Sequence, residues 1–499
     1  HPGAAPWRSN PPTAAKAPER KPNFLLIVAD DLGYSDLGAY GGEIATPNLD
    51  RLARSGATMT QFYASPFCSP TRAMLMSGTD NHQAGFGDMA ELMLPEQRGK
   101  PGYEGFLNQR VFALPEVLKS AGYRTVMAGK WHLGVAEEQS PAARGFDRSY
   151  AMVQGGASHF GDQAGIVAVD PSKPPKAIYR ENGKAVDTPR QGFFSSEAFA
   201  SRVIQYLDET KGDGSKPFFA YLAFTAPHWP LHAPDADIAK YENRYDAGYD
   251  ALRGERLERM KKLGLVPAAT TAYRGHPHWP TWERLPAEQK RSEARRMAVY
   301  AAMVDHMDRQ IGRVLKHLES SGELDNTVVV FISDNGADGN SVYDVGRTRE
   351  WIHKDMDNST ANLGRPGSFI EYGPGWAQVG STPLNLYKSF MYEGGISVPA
   401  IFWSPRQGIA AQQRTQVGHV MDIAPTIYEM AGARHPGSSH QGRVVLPVKG
   451  KSLVAYLQGK RPSVYGADDV IGWELGGRKA LRKGDWKIVQ ANKPWGQDG

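Results

Sequence analysis

Two adjacent carboxylates, Asp30 and Asp31, directly follow the apolar run Phe24–Ala29, and Asp334, Asn335 and Gly336 directly follow the run TVVVFIS. Adjacent carboxylates at the end of a buried strand repel each other unless a cation neutralises them, although this pair taken alone is equally a solvated turn. With the second cluster, the three carboxylates and one amide oxygen form an oxygen-only donor set. Such a set suits Ca2+ or Mg2+, and no thiolate or imidazole set for zinc accompanies it. A third cluster, Lys130 and His132, ends the stretch YRTVMAGKWHLG, and His228 ends PFFAYLAFTAPHWP. Histidine titrates near neutrality and suits proton transfer, but each of these residues alone would be unremarkable. Cys68 opens CSPTRAMLMSG, where Ser69 is placed to cap a helix, Pro70 to occupy its first turn and Gly78 to end it. A thiol at a helix N-terminus beside Arg72 is expected to favour its reactive thiolate. The plainer reading is a lone cysteine packing as a small hydrophobe.

Elements that could bring these clusters together are visible in the same runs. Stretches of five to seven apolar residues rich in Val, Ile and Phe suit strands buried on both faces; VPAIFWSP adds one that lacks a polar cluster. Between them lie helical patterns. The clearest spans 291–318, with Met297, Tyr300, Val304, Ile311, Leu315 and Leu318 at helical steps. TPNLDRLARSG and LPEVLKSAG are shorter helices that the sequence expects to stop at Gly56 and Gly122. Alternating strands and helices imply an α/β fold: a large, mostly parallel mixed sheet sandwiched by helices. Ligands bind beyond the carboxyl ends of such strands. All four clusters should therefore meet there, although they are some 300 residues apart.

Residues 1–22 read as a flexible lead-in, 23–430 as the catalytic domain and 431–499 as a smaller C-terminal α+β subdomain. The stretch 235–290 is expected to be a charge-rich surface insertion near the site. His82, His159, His232 and His419 lack strand-end placement and are read as structural or peripheral. Composition sets outer bounds on function. Of 499 residues, 40% are hydrophobic and 22% charged, as in ordinary globular chains. A net charge of +5 without runs of like charge argues against a nucleic-acid arm or polybasic membrane patch. No apolar stretch approaches the ~18 residues of a membrane span. The single cysteine excludes an internal disulfide. The first residue is His1, so the start reads as processed or engineered, which leans towards the periplasm or outside and leaves a cytoplasmic location open.

The motif Cys68-x-Pro70-Thr71-Arg72, followed by Ser77-Gly78, resembles the sulfatase signature, whose cysteine is oxidised to formylglycine after synthesis. The second sulfatase signature is matched by Gly122-Tyr123-Arg124-Thr125-Val126-Met127-Ala128-Gly129-Lys130-Trp131-His132, with ADD, APH and SDNG around it. The resemblance covers about 24 to 430 and is closest to bacterial arylsulfatases of the alkaline-phosphatase-like superfamily. NLYKSFMYEGGISVP matches the family's lysine-then-Glu-Gly-Gly segment and places Lys388 in the site. Family members usually continue past RKGDWKIV into a Leu-Tyr-Asn/Asp-Leu and Asp-Pro-x-Glu tail, which is not found before Gly499, so the C-terminal subdomain is expected to be incomplete or divergent.

The resemblance implies hydrolysis of aryl or simple alkyl sulfate monoesters. One Ca2+ (Mg2+ the alternative) would be held by Asp30, Asp31, Asp334, Asn335 and the modified Cys68. The hydrated aldehyde attacks sulfur, Asp334 being placed to take its proton. Lys130, Lys388 and the metal stabilise the sulfonyl oxygens, and Arg72 holds the nucleophile. His228 protonates the departing alcohol; His132 deprotonates the remaining hydroxyl and so expels sulfate. The implied partners are a small sulfate ester and a formylglycine-generating maturation enzyme. The rival readings are a phosphonate monoester or phosphodiester hydrolase with the same nucleophile, and a non-catalytic sulfate- or glycan-binding relative.

Overall fold

A computed structural model describes residues 20–166, 175–209, 216–344 and 348–491. The expected lead-in, apart from residues 20–22, and positions 492–499 of the expected C-terminal subdomain lie outside these residues. In chain order the strands are β1 (Asn23–Ala29), β2 (Ala57–Met59), β3 (Phe62–Tyr63), β4 (Arg124–Lys130), β5 (Arg148–Met152), β6 (Tyr179–Glu181), β7 (Lys184–Val186), β8 (Phe218–Ala223), β9 (Thr327–Ser333), β10 (Ala400–Trp403), β11 (Gln412–Arg414), β12 (Gly418–His419), β13 (Ser439–His440), β14 (Arg443–Val444), β15 (Val470–Leu475), β16 (Arg478–Lys483) and β17 (Trp486–Gln490). Ten of them form one sheet in the order β11-β2-β10-β9-β1-β8-β4-β5-β6-β7. From β9 to β5 every neighbouring pair is parallel. Antiparallel pairing appears at β10 and at the far edge, β5-β6-β7.

The central strands are apolar at consecutive positions because both of their faces are covered. In β1, Leu25 and Ile27 face a core shared with the helices Ser195–Glu209 and Ala287–Ser320. Leu26 and Val28 face a second core, shared with the helices Cys68–Ser77, Leu114–Ser120 and Ile423–Ala431. Full burial of each such side chain contributes roughly 1.5–3 kcal/mol. The helix expected at 291–318 spans Ala287–Ser320, and all six of its periodic apolar residues are buried.

Three local expectations need correction. Ser69 does not cap its helix: Phe67 is the N-cap and the helix already includes Cys68. Gly122 (φ +89°) has the left-handed backbone of a helix stop, whereas Gly56 has an extended φ of −131°. Glycine is needed at 56 because a Cβ would lie 2.4 Å from the Phe402 carbonyl oxygen on β10. The stretch 235–290 is no mere surface insertion. Its helix Gly248–Lys262 buries Leu252, Arg256 and Met260, and Arg256 pairs with Asp36 at 2.5 Å and Glu43 at 2.8 Å, just after β1.

Towards the C-terminus lie the β13–β14 hairpin and the antiparallel β15–β16–β17 meander. The meander packs Ile471, Trp473 and Leu475 against Tyr63, Met391 and Ile396. Trp473 also donates its indole N–H to the Ala64 carbonyl at 2.9 Å, near Cys68. Among the described residues, no helix is long and apolar enough to cross a membrane.

Candidate active site

The four site-bearing strands are consecutive in the sheet, β9-β1-β8-β4, and mutually parallel. Their carboxyl ends therefore lie side by side. Asp30 and Asp31 leave β1, Lys130 ends β4 and leads to His132, the turn after β8 carries His228, and Asp334 and Asn335 leave β9. Cys68 enters from the first turn of its helix and Lys388 from the loop before β10, so the two cores meet over one cluster. Asp31 (φ +67°) and His132 (φ +56°) both have left-handed backbone, which costs a non-glycine residue about 1–3 kcal/mol. At Asp31 the turn is held by its own N–H, which donates to Asp334 Oδ1 at 3.2 Å.

The cluster is a lattice of buried opposite charges. Lys130 Nζ lies 2.7 Å from Asp30 Oδ2, and Lys388 Nζ lies 2.8 Å from Asp31 Oδ1 and 3.1 Å from Asp338 Oδ2. Arg72 grips Asp334 Oδ2 through Nε at 3.0 Å and Nη2 at 2.8 Å, and reaches Asp30 Oδ1 at 3.8 Å. It also donates to the Lys130 carbonyl at 3.1 Å, tying the cysteine helix to β4. Asn335 donates to Asp31 Oδ1 at 2.7 Å. His228 donates through Nδ1 to the Trp229 carbonyl, which leaves Nε2 towards the cluster, 3.5 Å from Asp31 Oδ2.

Burial dominates the protonation energetics. It raises Asp30 to about 6, against the opposing pull of Lys130, and drives Asp31 well above the usual carboxylate range, against Lys388. Burial would raise Asp334 too, but Arg72 and then Lys130 hold its carboxyl below the ordinary value. Desolvation, then Lys388 and Lys130, push the His228 imidazole well down. The expectation of a favoured Cys68 thiolate fails. Burial pushes its thiol well up despite Lys130 and Lys388, so the cysteine sulfur is held protonated.

The donor chemistry fits a hard cation. Asp30 Oδ1 and Asn335 Oδ1 are buried acceptors without a hydrogen-bond partner among the described residues, a costly state that a metal would relieve. Ligand atoms of Asp30, Asp31, Cys68 and His228 lie within 4.8 Å of one another. Asp334 stands beside this group with one oxygen engaged by Arg72. Because Arg72 and Asp334 are fully buried partners, removing either charge strands the other. Arg72→Ala is expected to destabilise the fold by about 3–5 kcal/mol, read as a lower midpoint in urea unfolding. Arg72→Lys, which keeps the charge but loses the two-pronged grip, should recover only part of it.

Two residues of the neighbourhood escaped the sequence reading, and a third has the structural role it was given. Glu91 faces His132 Nε2 at 3.1 Å. Asp338, the second acid of SDNGAD, bonds Lys388 and accepts from the Trp229 indole at 2.9 Å; its closeness to Asp334 in sequence was the available signal. His159, read as structural or peripheral, bonds the His228 carbonyl at 2.9 Å through Nε2 and so braces that turn. His82 lies between Asp80 and Glu474, and His419 caps the turn at Met421, so both are structural.

The family model described as sulfatase matches residues 22–433. Over 491 residues the chain is 46% identical to an uncharacterized sulfatase of Schizosaccharomyces pombe, covering 96% of this chain and 87% of that protein. It is 40% identical over 453 residues to an arylsulfatase of Klebsiella aerogenes, covering 90% and 94% of the two chains. The solved structure of Ps i-CgsB in complex with k-i-k-neocarrahexaose is similar at TM-score 0.65 and 25% identity, over 95% of this chain and 84% of that one. The phosphonate monoester hydrolase of Agrobacterium radiobacter shares the fold at TM-score 0.55 and 19% identity, over 94% of this chain and 87% of that one. With motifs, sheet order and relatives in agreement, the chain belongs to the sulfatase family, the hydrolases of sulfuric esters.

Proposed function

We propose that this protein hydrolyses aryl or simple alkyl sulfate monoesters to the alcohol and inorganic sulfate, with Cys68 as the site of the nucleophile. The observation that carries this reading is the placement of a buried cysteine, 1% exposed, where Arg72, Lys130 and Lys388 converge with the carboxylates of β1 and β9. Formylglycine at this position would supply a hydrated aldehyde whose hydroxyl attacks sulfur. A Ca2+ ion, or Mg2+ in its place, held by Asp30, Asp31, Asp334, Asn335 and residue 68, would supply Lewis-acid and orienting chemistry there.

The chain's own residues do the rest. Asp334 is placed to take the attacking hydroxyl's proton, and Arg72 fixes Asp334 and, through it, the nucleophile's surroundings. Lys130 and Lys388 are buried cations, so they stabilise charge on the sulfonyl oxygens more strongly than exposed lysines could. His228 Nε2 gives a proton to the departing alcohol. An arriving sulfate anion pairs with the lysines that depress this imidazole, and so favours its protonated form. His132 takes a proton in the later step that releases sulfate. Residues 23–430 form the catalytic body in this reading and 431–499 a smaller subdomain.

Two measurements test the proposal together. Mass spectrometry of the Cys68 peptide is expected to show the aldehyde or its hydrate; an unmodified thiol in every molecule would favour a non-catalytic binder. Side-by-side assays should give a higher kcat/KM on aryl sulfate than on a phosphonate monoester or phosphate diester, and the reverse order would replace the substrate assignment. For the metal, chelation is expected to abolish turnover and Ca2+ to restore it. Asp30→Ala should weaken Ca2+ binding measured by calorimetry, and bound zinc with nitrogen ligands would contradict the oxygen set.

A further inference from the structure

Glu91 lies in the long loop between the helices Asn81–Ala84 and Leu114–Ser120. Its Oε1 is 3.1 Å from His132 Nε2. Burial works against a charge on both partners: it pushes the His132 imidazole down, towards its neutral form, while the contact with His132 holds the Glu91 carboxyl below its ordinary value. A carboxylate has no hydrogen to donate, so Nε2 carries the proton of this bond and Nδ1 is the bare nitrogen of the neutral ring. His132 Nδ1 is buried and has no hydrogen-bond partner among the described residues. It is thus the ring atom free to receive a proton. Room for the pair comes from Gly155. A Cβ there would sit 3.0 Å from both Cε1 and Nε2 of the His132 ring and 3.4 Å from Glu91 Oε1. The left-handed backbone of His132 fixes where the ring starts; Glu91 fixes which way it presents its nitrogens.

We infer that Glu91 is a positioning residue for His132, holding the ring as the Nε2–H tautomer so that Nδ1 receives the proton in the step that releases sulfate. This rests on the reading of His132 as the base of that step. Buried carboxylates behind base histidines act in the same way in hydrolytic triads.

The test exploits the order of release, alcohol before sulfate. A residue that serves only the later step lowers kcat and KM together and leaves kcat/KM unchanged. Glu91→Leu, with Glu91→Ala beside it as the variant that adds no bulk, is expected to lower kcat on 4-nitrophenyl sulfate at least about tenfold. kcat/KM should stay within about twofold, with a burst of nitrophenol in the first turnover. Glu91→Leu should add nothing to His132→Ala, because it acts through that ring. Independently of turnover, 15N-histidine NMR of the full chain, with His132→Ala identifying the signals, should show one neutral tautomer for His132 in the parent and a mixture in Glu91→Leu. A fall in kcat/KM equal to that in kcat, a further loss in the double variant, or an unchanged tautomer would overturn the inference. If His132→Ala itself gives no burst, the reading of His132 as base fails separately, and the tautomer measurement still decides whether Glu91 orients the ring.

Discussion

Cys68→Ala is expected to lower kcat/KM on an aryl sulfate by about 10,000-fold or more, because a covalent mechanism loses its nucleophile while the surrounding charges remain. The fold should survive. Cys68 is buried at the start of its helix, with its sulfur 3.9 Å from Asp31 Oδ1, and losing one sulfur atom costs roughly 1 kcal/mol. Arg72, which ties the same helix to β4 and β9, is untouched. Circular dichroism and a thermal melt alongside the assay separate lost chemistry from lost structure. Full activity in the alanine variant, or in a parent carrying only the free thiol, would contradict the assignment.

The second large effect depends on the substrate. A general acid matters most when the leaving alcohol is a poor one, so His228→Ala should slow alkyl or unactivated aryl sulfates by about 100- to 10,000-fold and 4-nitrophenyl sulfate far less. The structural basis is the Nε2 left facing the cluster by the Nδ1 bond to Trp229, with His159 bracing the same turn through the His228 carbonyl. The dependence of rate on leaving-group pKa should steepen in His228→Ala and not in His132→Ala. The opposite pattern would mean that the two histidines have exchanged roles.

The parts of the molecule legible in its sequence are those where one physical constraint dominates. β1, β4, β8 and β9 are buried on both faces, which forces apolar residues at consecutive positions, and each run stops where polar residues begin. That abrupt change marked Asp30, Lys130, His228 and Asp334, and parallel pairing made their convergence a consequence. The edge strands β7 and β11, and β6 beside β7, carry no such signature, since they are short and partly exposed. Glu91 was invisible because a loop glutamate has no periodicity, and its partner His132 is 41 residues away. The thiolate expectation for Cys68 failed because helix position is local and burial is not: the desolvation that raises the thiol comes from chain far from residue 68. The stretch 235–290 reads as a charge-rich surface insertion because its partners are distant in sequence: Arg256 pairs with Asp36 and Glu43, and Tyr245 donates to Glu43.

The position of β1 between β8 and β9 has a kinetic consequence. Phe24 pairs with Phe219 on one side and Val328 on the other, so one ladder waits for a strand about 200 residues away and the other for a strand about 300 residues away. Loop entropy must be overcome before such distant contacts reward it, and proteins of this kind fold slowly. The helix that begins at Cys68 reaches its final seat only against Lys130, Tyr221 and Asp334, through Arg72. During synthesis Arg72 therefore lacks the carboxylate that grips it until Asp334 emerges, long after Lys130 and Tyr221.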